Sequence, residues 1–243
     1  MKTVVLISAN AEWRSIKPLF PAVEVHASPL GEWFEAQLVS PRSSPITFFH
    51  GGWGKISAAA TAQYVIDHFQ PDLLVNLGTC GGFEDCTLAP NAVRCSAGVE
   101  TGTIILVEKT IVYDIIEQMG DADEAIDHYS TDLDLSWLQE SSQPPVFRGL
   151  LVSADRDIVV DDIPMLIEKY GAVAADWESG AIAWVANKNR VRCLILRGVT
   201  DLVGAGGGEA YGKLELFQQR TAEIMQRLVG QLDNWIQAAG GAD

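Results

Sequence analysis

Six short apolar runs recur along the chain with almost no polar alternation: Val4–Ser8, Ile46–Phe49, Leu73–Leu77, Ile104–Val107, Leu150–Ser153 and Cys193–Gly198. A strand that is wet on one face alternates apolar with polar residues, whereas an unbroken Val/Ile/Leu run suits a strand covered on both faces. Helical patterns lie between these runs. Lys55–Phe69 is alanine-rich, Ile163–Tyr170 is short, and Ser179–Asn189 carries Ile182 and Val185. Near the C-terminus, Phe217, Ile224, Leu228, Leu232 and Trp235 fall on one stripe. Buried strands interleaved with helices predict an α/β layer architecture. Glu32–Ser40 and Ile46–His50 flank the turn-rich Pro41-Arg-Ser-Ser-Pro45, which predicts an antiparallel hairpin and hence a mixed sheet.

The 243 residues, 48% of them hydrophobic, suffice for one sizeable core, and no repeat, long linker or low-complexity tract divides them. A single domain over residues 1–243 is expected. Its most one-sided part, Asp114–Glu140, holds nine acids and no Lys or Arg and reads as a solvated excursion. With 17 Lys+Arg against 32 Asp+Glu, the formal charge of −15 opposes binding to nucleic acid or to an anionic membrane. The opening MKTVVLISANAEW has too short an apolar run for a signal peptide and reads as a first strand. No other stretch approaches the roughly 20 apolar residues that span a bilayer, so a cytoplasmic protein is expected. Cys80, Cys86, Cys95 and Cys193 form no C-x-x-C pair and have no His at zinc-ligand spacing. They are expected to be reduced thiols, with no metal and no organic cofactor.

Four motifs sit where strands end. His50-Gly-Gly-Trp-Gly-Lys55 leads from a strand into a helix, but it is neither a P-loop nor a dinucleotide fingerprint: Phe49 and Ile56 occupy the P-loop's first Gly and its Ser/Thr, and Ser57 the third glycine of the fingerprint. Close strand-to-helix packing on small residues explains it equally well. Asn76-Leu-Gly-Thr-Cys-Gly-Gly-Phe83 is expected to follow a strand at its carboxyl end, where α/β sheets bind ligands. Asp176-Trp-Glu-Ser179 runs into a helix. Arg197-Gly-Val-Thr-Asp201 ends a strand that breaks at Gly204–Gly208, a candidate hinge or lid. Taken singly, Asp201 as a turn cap and Glu178 as a helix N-terminal acid need no further function.

In this order the four motifs, with Glu-Ser-Gly-Ala-Ile-Ala183 and Val-Thr-Asp-Leu-Val203 among them, closely resemble the purine nucleoside phosphorylase/nucleosidase superfamily. Within it they are most similar to the 5′-methylthioadenosine/S-adenosylhomocysteine nucleosidases, including the plant type. The resemblance runs from Met1 to about Arg227. It implies one α/β domain with a barrel-like mixed sheet flanked by helices, a nucleoside pocket at the strand ends, and a homodimer. It also implies roles for residues. Asp201 matches the acid that protonates the purine at N7, Glu178 the residue that binds the ribose hydroxyls, and Glu12 the carboxylate that activates water. Thr79 matches a hydroxyl residue beside the nucleophile.

Glycosidic cleavage asks for such groups independently. An oxocarbenium-like state needs an acid at the leaving group, a base near the anomeric carbon and negative charge by the sugar. Hydrolysis is expected over phosphorolysis, because Asn76 stands where a phosphorylase would carry arginine and Glu12 would repel a phosphate dianion. A phosphate-dependent phosphorylase and a non-catalytic nucleoside-binding protein are the alternatives. Several departures bear on the substrate. Trp177 replaces the methionine beneath the ribose, and Trp53 replaces a smaller residue by the 5′ substituent, while Ala9, where the family commonly has a larger methionine, reads as compensation. Asp157 stands at the family's adenine-stacking phenylalanine, next to Ile158 in the base-binding segment, so adenine and 6-oxopurine bases both remain open. Tyr113 and Phe217 are candidates for the 5′ side.

Overall fold

The computed structural model describes residues 1–38, 45–84, 98–139 and 143–240. Cys86, Cys95, Glu140 and most of the Pro41–Pro45 turn lie outside these residues. In chain order the elements are β1 (Thr3–Ile7), α1 (Asn10–Ile16), β2 (His26–Ser28), β3 (Gly31–Ala36), β4 (Ile46–His50), α2 (Lys55–Phe69), β5 (Leu73–Phe83), β6 (Ile104–Val112), α3 (Ala122–His128), β7 (Ser130–Asp132), β8 (Phe147–Ser153), α4 (Ile163–Tyr170), β9 (Ala172–Asp176), α5 (Ser179–Lys188), β10 (Arg192–Gly204), β11 (Gly207–Gly208) and α6 (Leu214–Ala238).

All the described strands belong to one mixed sheet, part of which closes on itself. β10 pairs antiparallel with β6, β6 parallel with β8, β8 parallel with β9, β9 antiparallel with β5, and β5 parallel with β10. That circuit is a five-stranded barrel. From β5 a wing extends through β1, β4, β3 and β2, and it contains the expected antiparallel hairpin, with Phe34 opposite Phe48. The fold is therefore the α/β architecture with a mixed, barrel-like sheet and flanking helices.

The unalternating runs are buried as their composition requires: every residue of β1 and β9 is inside. On α6 the stripe of Ile224, Leu228, Leu232 and Trp235 is fully covered against the wing and barrel. Truncating one such leucine to alanine typically costs about 2–5 kcal/mol. Phe217 leaves this stripe and lies one turn into the helix, beside the cavity described below.

Two expectations are corrected. The glycine cluster Asn76–Phe83 is not a loop after a strand but the second half of β5 itself. Its glycines are required by contact. A Cβ on Gly81 would lie 2.6 Å from Ile158, and one on Gly82 would lie 2.9 Å from Val199. Gly204–Gly208 is likewise no open loop, because Val203 pairs with Gly208 and Gly204 with Gly207 in a tight hairpin. The acidic segment contains α3 and β7. Ile126, Thr131 and Leu138 in it are buried, and β7 pairs with β6.

Candidate active site

The three carboxylates singled out in the sequence are all buried: Glu12 is 4% exposed, Asp201 5% and Glu178 8%. Each is delivered by a different device. Glu12 is the third residue of α1 and reaches back to accept the Ala9 amide at 3.2 Å, which satisfies one of the helix's free N–H groups. The next residue, Trp13, anchors the helix. Its indole donates to Glu32 Oε1 at 2.5 Å and stacks on His50 at 5.3 Å, tying α1 to the β3–β4 hairpin.

Glu178 precedes α5, but its carboxylate serves another helix: Oε1 accepts the Gly54 amide at 3.0 Å, at the start of α2. The glycine-rich turn before α2 makes that approach possible. Gly52 and Gly54 have φ of 75° and 86°, a region costly for residues with a Cβ. Gly51 packs so closely on Thr61 that a Cβ would lie 2.5 Å from it. Strand-to-helix packing and a functional contact therefore coexist in one motif. Asp201 follows a β-bulge in β10: Val199 pairs with Cys80 and Asp201 with Gly81, leaving Thr200 as the extra residue. Bulges re-aim side chains beside active sites. Asp201 Oδ1 accepts the Thr200 hydroxyl at 2.8 Å, while Oδ2 is buried with no hydrogen-bond partner of standard geometry among the described residues.

Behind these groups lies a buried ion pair that the motifs did not flag. Arg197, 1% exposed, donates through Nε to Asp176 Oδ2 at 2.7 Å and through Nη2 to Asn76 Oδ1 at 2.7 Å. Asp176 is further held by the hydroxyls of Ser153, at 2.6 Å, and Ser179. Asn76 in turn donates to Leu6 O at 2.9 Å, so it ties β1, β5 and β10 together. Nη1 of Arg197 has no hydrogen-bond partner among the described residues and lies toward Glu12: a Cβ on Gly78 would meet Nη1 at 2.0 Å and Glu12 Oε1 at 2.9 Å. The cluster holds one guanidinium against the carboxylates of Asp176, Glu12 and Glu178. Burial disfavours the Arg197 charge, but those three acids outweigh it and raise the pKa.

Burial likewise lifts Glu12, Glu178 and Asp201. Glu12 is raised by burial against the opposing pull of Arg197 and Thr79. Glu178 is pushed up to about 8 by burial and by the nearby Asp176 and Glu12. Asp201 is raised by burial despite the Thr200 hydroxyl. Carboxyl groups in such surroundings can hold or take up a proton near neutral pH.

All ten residues named from the sequence line one cavity of about 610 Å³. Their exposures differ. Trp53 is 57% exposed at the rim, and its ring sits 5.5 Å from that of Trp177 beside Glu178. Tyr113 is buried beneath the Arg156 guanidinium, 5.3 Å above its ring. Asp157 is exposed at the cavity and Ile158 is half-buried. The rim is fastened by Lys55, which pairs with Asp114 and, at 3.7 Å, with Asp155. Sequence reading also passed over Tyr211 and Lys213 of the turn before α6, which line the same cavity. A lone aromatic in a glycine-rich turn gave no signal.

A partly closed mixed sheet with buried carboxylates gathered in a cavity at its strand ends defines an α/β protein of the nucleoside phosphorylase and nucleosidase type. The chain belongs to the phosphorylase superfamily, whose family model matches residues 34–232. It is similar to the 5′-methylthioadenosine/S-adenosylhomocysteine nucleosidase of Thermotoga maritima, 27% identical over 68% of this chain and 69% of that one. The enzyme of the same name from Anoxybacillus flavithermus is 25% identical over 77% of this chain and 82% of its own. Among solved structures, the apo 5′-methylthioadenosine nucleosidase of Arabidopsis thaliana superposes with a TM-score of 0.75 at 22% identity, over 100% of this chain and 97% of that one.

Proposed function

We propose that the protein hydrolyses the N-glycosidic bond of a purine nucleoside, 5′-methylthioadenosine, S-adenosylhomocysteine or a related 5′-substituted compound, and releases the free base. The observation that carries this reading is the convergence of Glu12, Glu178 and Asp201, each buried and each raised, on one cavity. Water attacks the anomeric carbon and yields its proton to Glu12. As the bond to the base nitrogen breaks, Asp201 gives its proton to the purine ring, so the base leaves neutral. Glu178, fixed by the Gly54 amide, has its second oxygen for the ribose hydroxyls. Thr79 holds Glu12 through its amide at 2.6 Å and its hydroxyl at 2.9 Å. Hydrogen bonds to the ribose hydroxyls that strengthen as positive charge develops on the sugar favour the cationic transition state.

Water is favoured over phosphate by the charge count around Arg197. Its guanidinium is already engaged by Asp176 and faced by Glu12 and Glu178, so no uncommitted cation in that cluster is set to neutralise a dianion. Trp53 and Trp177 flank Glu178, and with Tyr113 and Phe217 they give the sugar's 5′ side an aromatic lining suited to an apolar substituent. The partners are then small-molecule nucleosides and a second copy of the chain, with no nucleic acid or membrane, in the cytoplasm. The dimer is supported by the large apolar side chains exposed near the rim, Trp53 and, at 85%, Ile56.

Purified protein incubated with methylthioadenosine, adenosine and inosine, with and without phosphate, tests the reaction. Release of free base and free sugar independent of phosphate is expected; ribose 1-phosphate formed only with phosphate makes it a phosphorylase. Base binding without any product makes it a binding protein. Sedimentation at the mass of two chains is expected, and a monomer at every concentration rejects the dimer.

A further inference from the structure

Asp157, which lines the cavity, offers no stacking face, because a carboxylate has no π surface to lay against a purine. One aromatic side chain does lie where that face is needed. Tyr211 sits in the turn between β11 and α6, and its hydroxyl donates to the Ile158 carbonyl at 3.2 Å. Its ring passes over Gly208, where a Cβ would be 2.5 Å from both Cδ1 and Cε1 and 2.8 Å from Asp201 Oδ2. Gly208 is thus the spacer that lets the ring lie alongside the carboxyl of Asp201. The ring is not core: Tyr211 is 43% exposed, and it lines the cavity with Asp157 and Ile158.

Three of the other cavity aromatics have different neighbours. Trp53 and Trp177 pair with each other beside Glu178, and Tyr113 lies under Arg156. The Tyr211 phenol is pushed up to about 12 by burial and by the negative charge of Asp157 and Asp201, so it remains a hydrogen-bond donor across the neutral range. The backbone fits a fixed presentation. Tyr211 N donates to Gly208 O at 3.1 Å, Lys213 N to Ala210 O at 2.9 Å, and Gly212 takes φ of 74°.

We propose that Tyr211 is a specificity-determining residue that supplies the aromatic wall of the base compartment, stacking on the purine beside Asp201 while its hydroxyl fixes the ring on Ile158. This rests on the nucleosidase reading, which makes Asp201 the residue at the base. The face contributes binding energy and the hydroxyl contributes orientation, so the two are separable by substitution.

The test compares wild type with Tyr211→Phe, which keeps the face, and Tyr211→Leu, which keeps bulk without it. Binding of free adenine and free hypoxanthine is measured by calorimetry, and kcat and KM of nucleoside cleavage are measured on the same proteins. Tyr211→Leu is expected to weaken base binding and raise KM about tenfold or more, while Tyr211→Phe stays within about threefold of wild type. Melting temperatures are expected to agree, since the side chain packs on the surface of the turn. Equal base affinity and KM in wild type and Tyr211→Leu overturn the proposal while leaving the nucleosidase reading standing. A wild type that binds base in a Tyr211-dependent way yet releases no product upholds the wall and overturns the nucleosidase reading.

Discussion

Glu12 Oε1 accepts two hydrogen bonds from one residue, the amide of Thr79 at 2.6 Å and its hydroxyl at 2.9 Å. With the Ala9 amide on Oε2, the carboxylate of α1 is held from its own helix and from β5, so its plane is fixed before any substrate arrives. Preorganisation of this kind distinguishes a catalytic base from a surface acid of the same composition.

Removing the proposed base should therefore affect rate more than binding. Glu12→Gln is expected to lower kcat by about 10²–10⁴-fold with KM within a few-fold of wild type. Thr79→Val removes the hydroxyl but keeps the amide bond, and should cost only about tenfold, in line with the loss of one hydrogen bond to a charged group. Steady-state kinetics on both variants check this. Equal, large losses in kcat would mean that the hydroxyl contacts the reacting atoms itself.

As the proposed acid, Asp201 must carry a proton to release a basic leaving group, and burial raises its pKa, so kcat should decline as pH rises through that raised value. Asp201→Asn is expected to abolish cleavage of purine nucleosides while largely sparing a riboside with a nitrophenolate leaving group, which departs without protonation. The rates of the two substrates on the variant decide it, and equal loss on both would remove Asp201 from the acid role.

For Glu178 the sign of the pH effect on stability follows from its pKa, raised from 4.5 to about 8. Between those values the folded chain holds a proton that the unfolded chain has released, so this group's contribution to stability is full below about 4.5 and is lost as pH rises toward 8. Glu178→Gln carries no such penalty. Its melting temperature should exceed that of wild type at pH 8.5 by more than at pH 5, a difference worth on the order of 2–4 kcal/mol. A gap that is the same at both pH values would place the carboxyl in an ordinary aqueous setting.

Arg197→Met should be strongly destabilising, by about 3–5 kcal/mol in urea unfolding, because Asp176 would be left buried without its cation. Gly78→Ala tests the same cluster from the other side, since the new methyl would meet both Arg197 and Glu12. It is expected to lose activity by a larger factor than stability alone explains, read from single-turnover rates at a temperature where the variant remains folded.

Much of this arrangement was legible in the sequence, and the reasons differ by residue. Unalternating runs such as Val4–Ile7 announced strands covered on both sides, and the hairpin of β3 and β4 was legible in its flanking composition. Glu178 and Asp201 were legible because each stands in a motif at a strand end, and Glu12 only through the family resemblance. Three features escaped because they depend on partners far along the chain. The glycines of β5 look like loop residues until Ile158 and Val199 are seen pressing on them. Arg197 looks like the end of a strand until Asp176, 21 residues away, and Asn76, 121 residues away, reach it. Tyr211 has no periodic pattern around it, and its meaning comes only from Ile158, 53 residues away.

The bulge at Thr200 sets Asp201 by register, on a strand that is paired on both sides, whereas Asp157, Trp53 and Tyr211 are carried by turns. On the proposed reading the reaction is written into the sheet, and the choice of nucleoside into segments that can be rewritten without unpairing any described strand. An engineer seeking a new nucleoside has three turns to redesign and no barrel to rebuild.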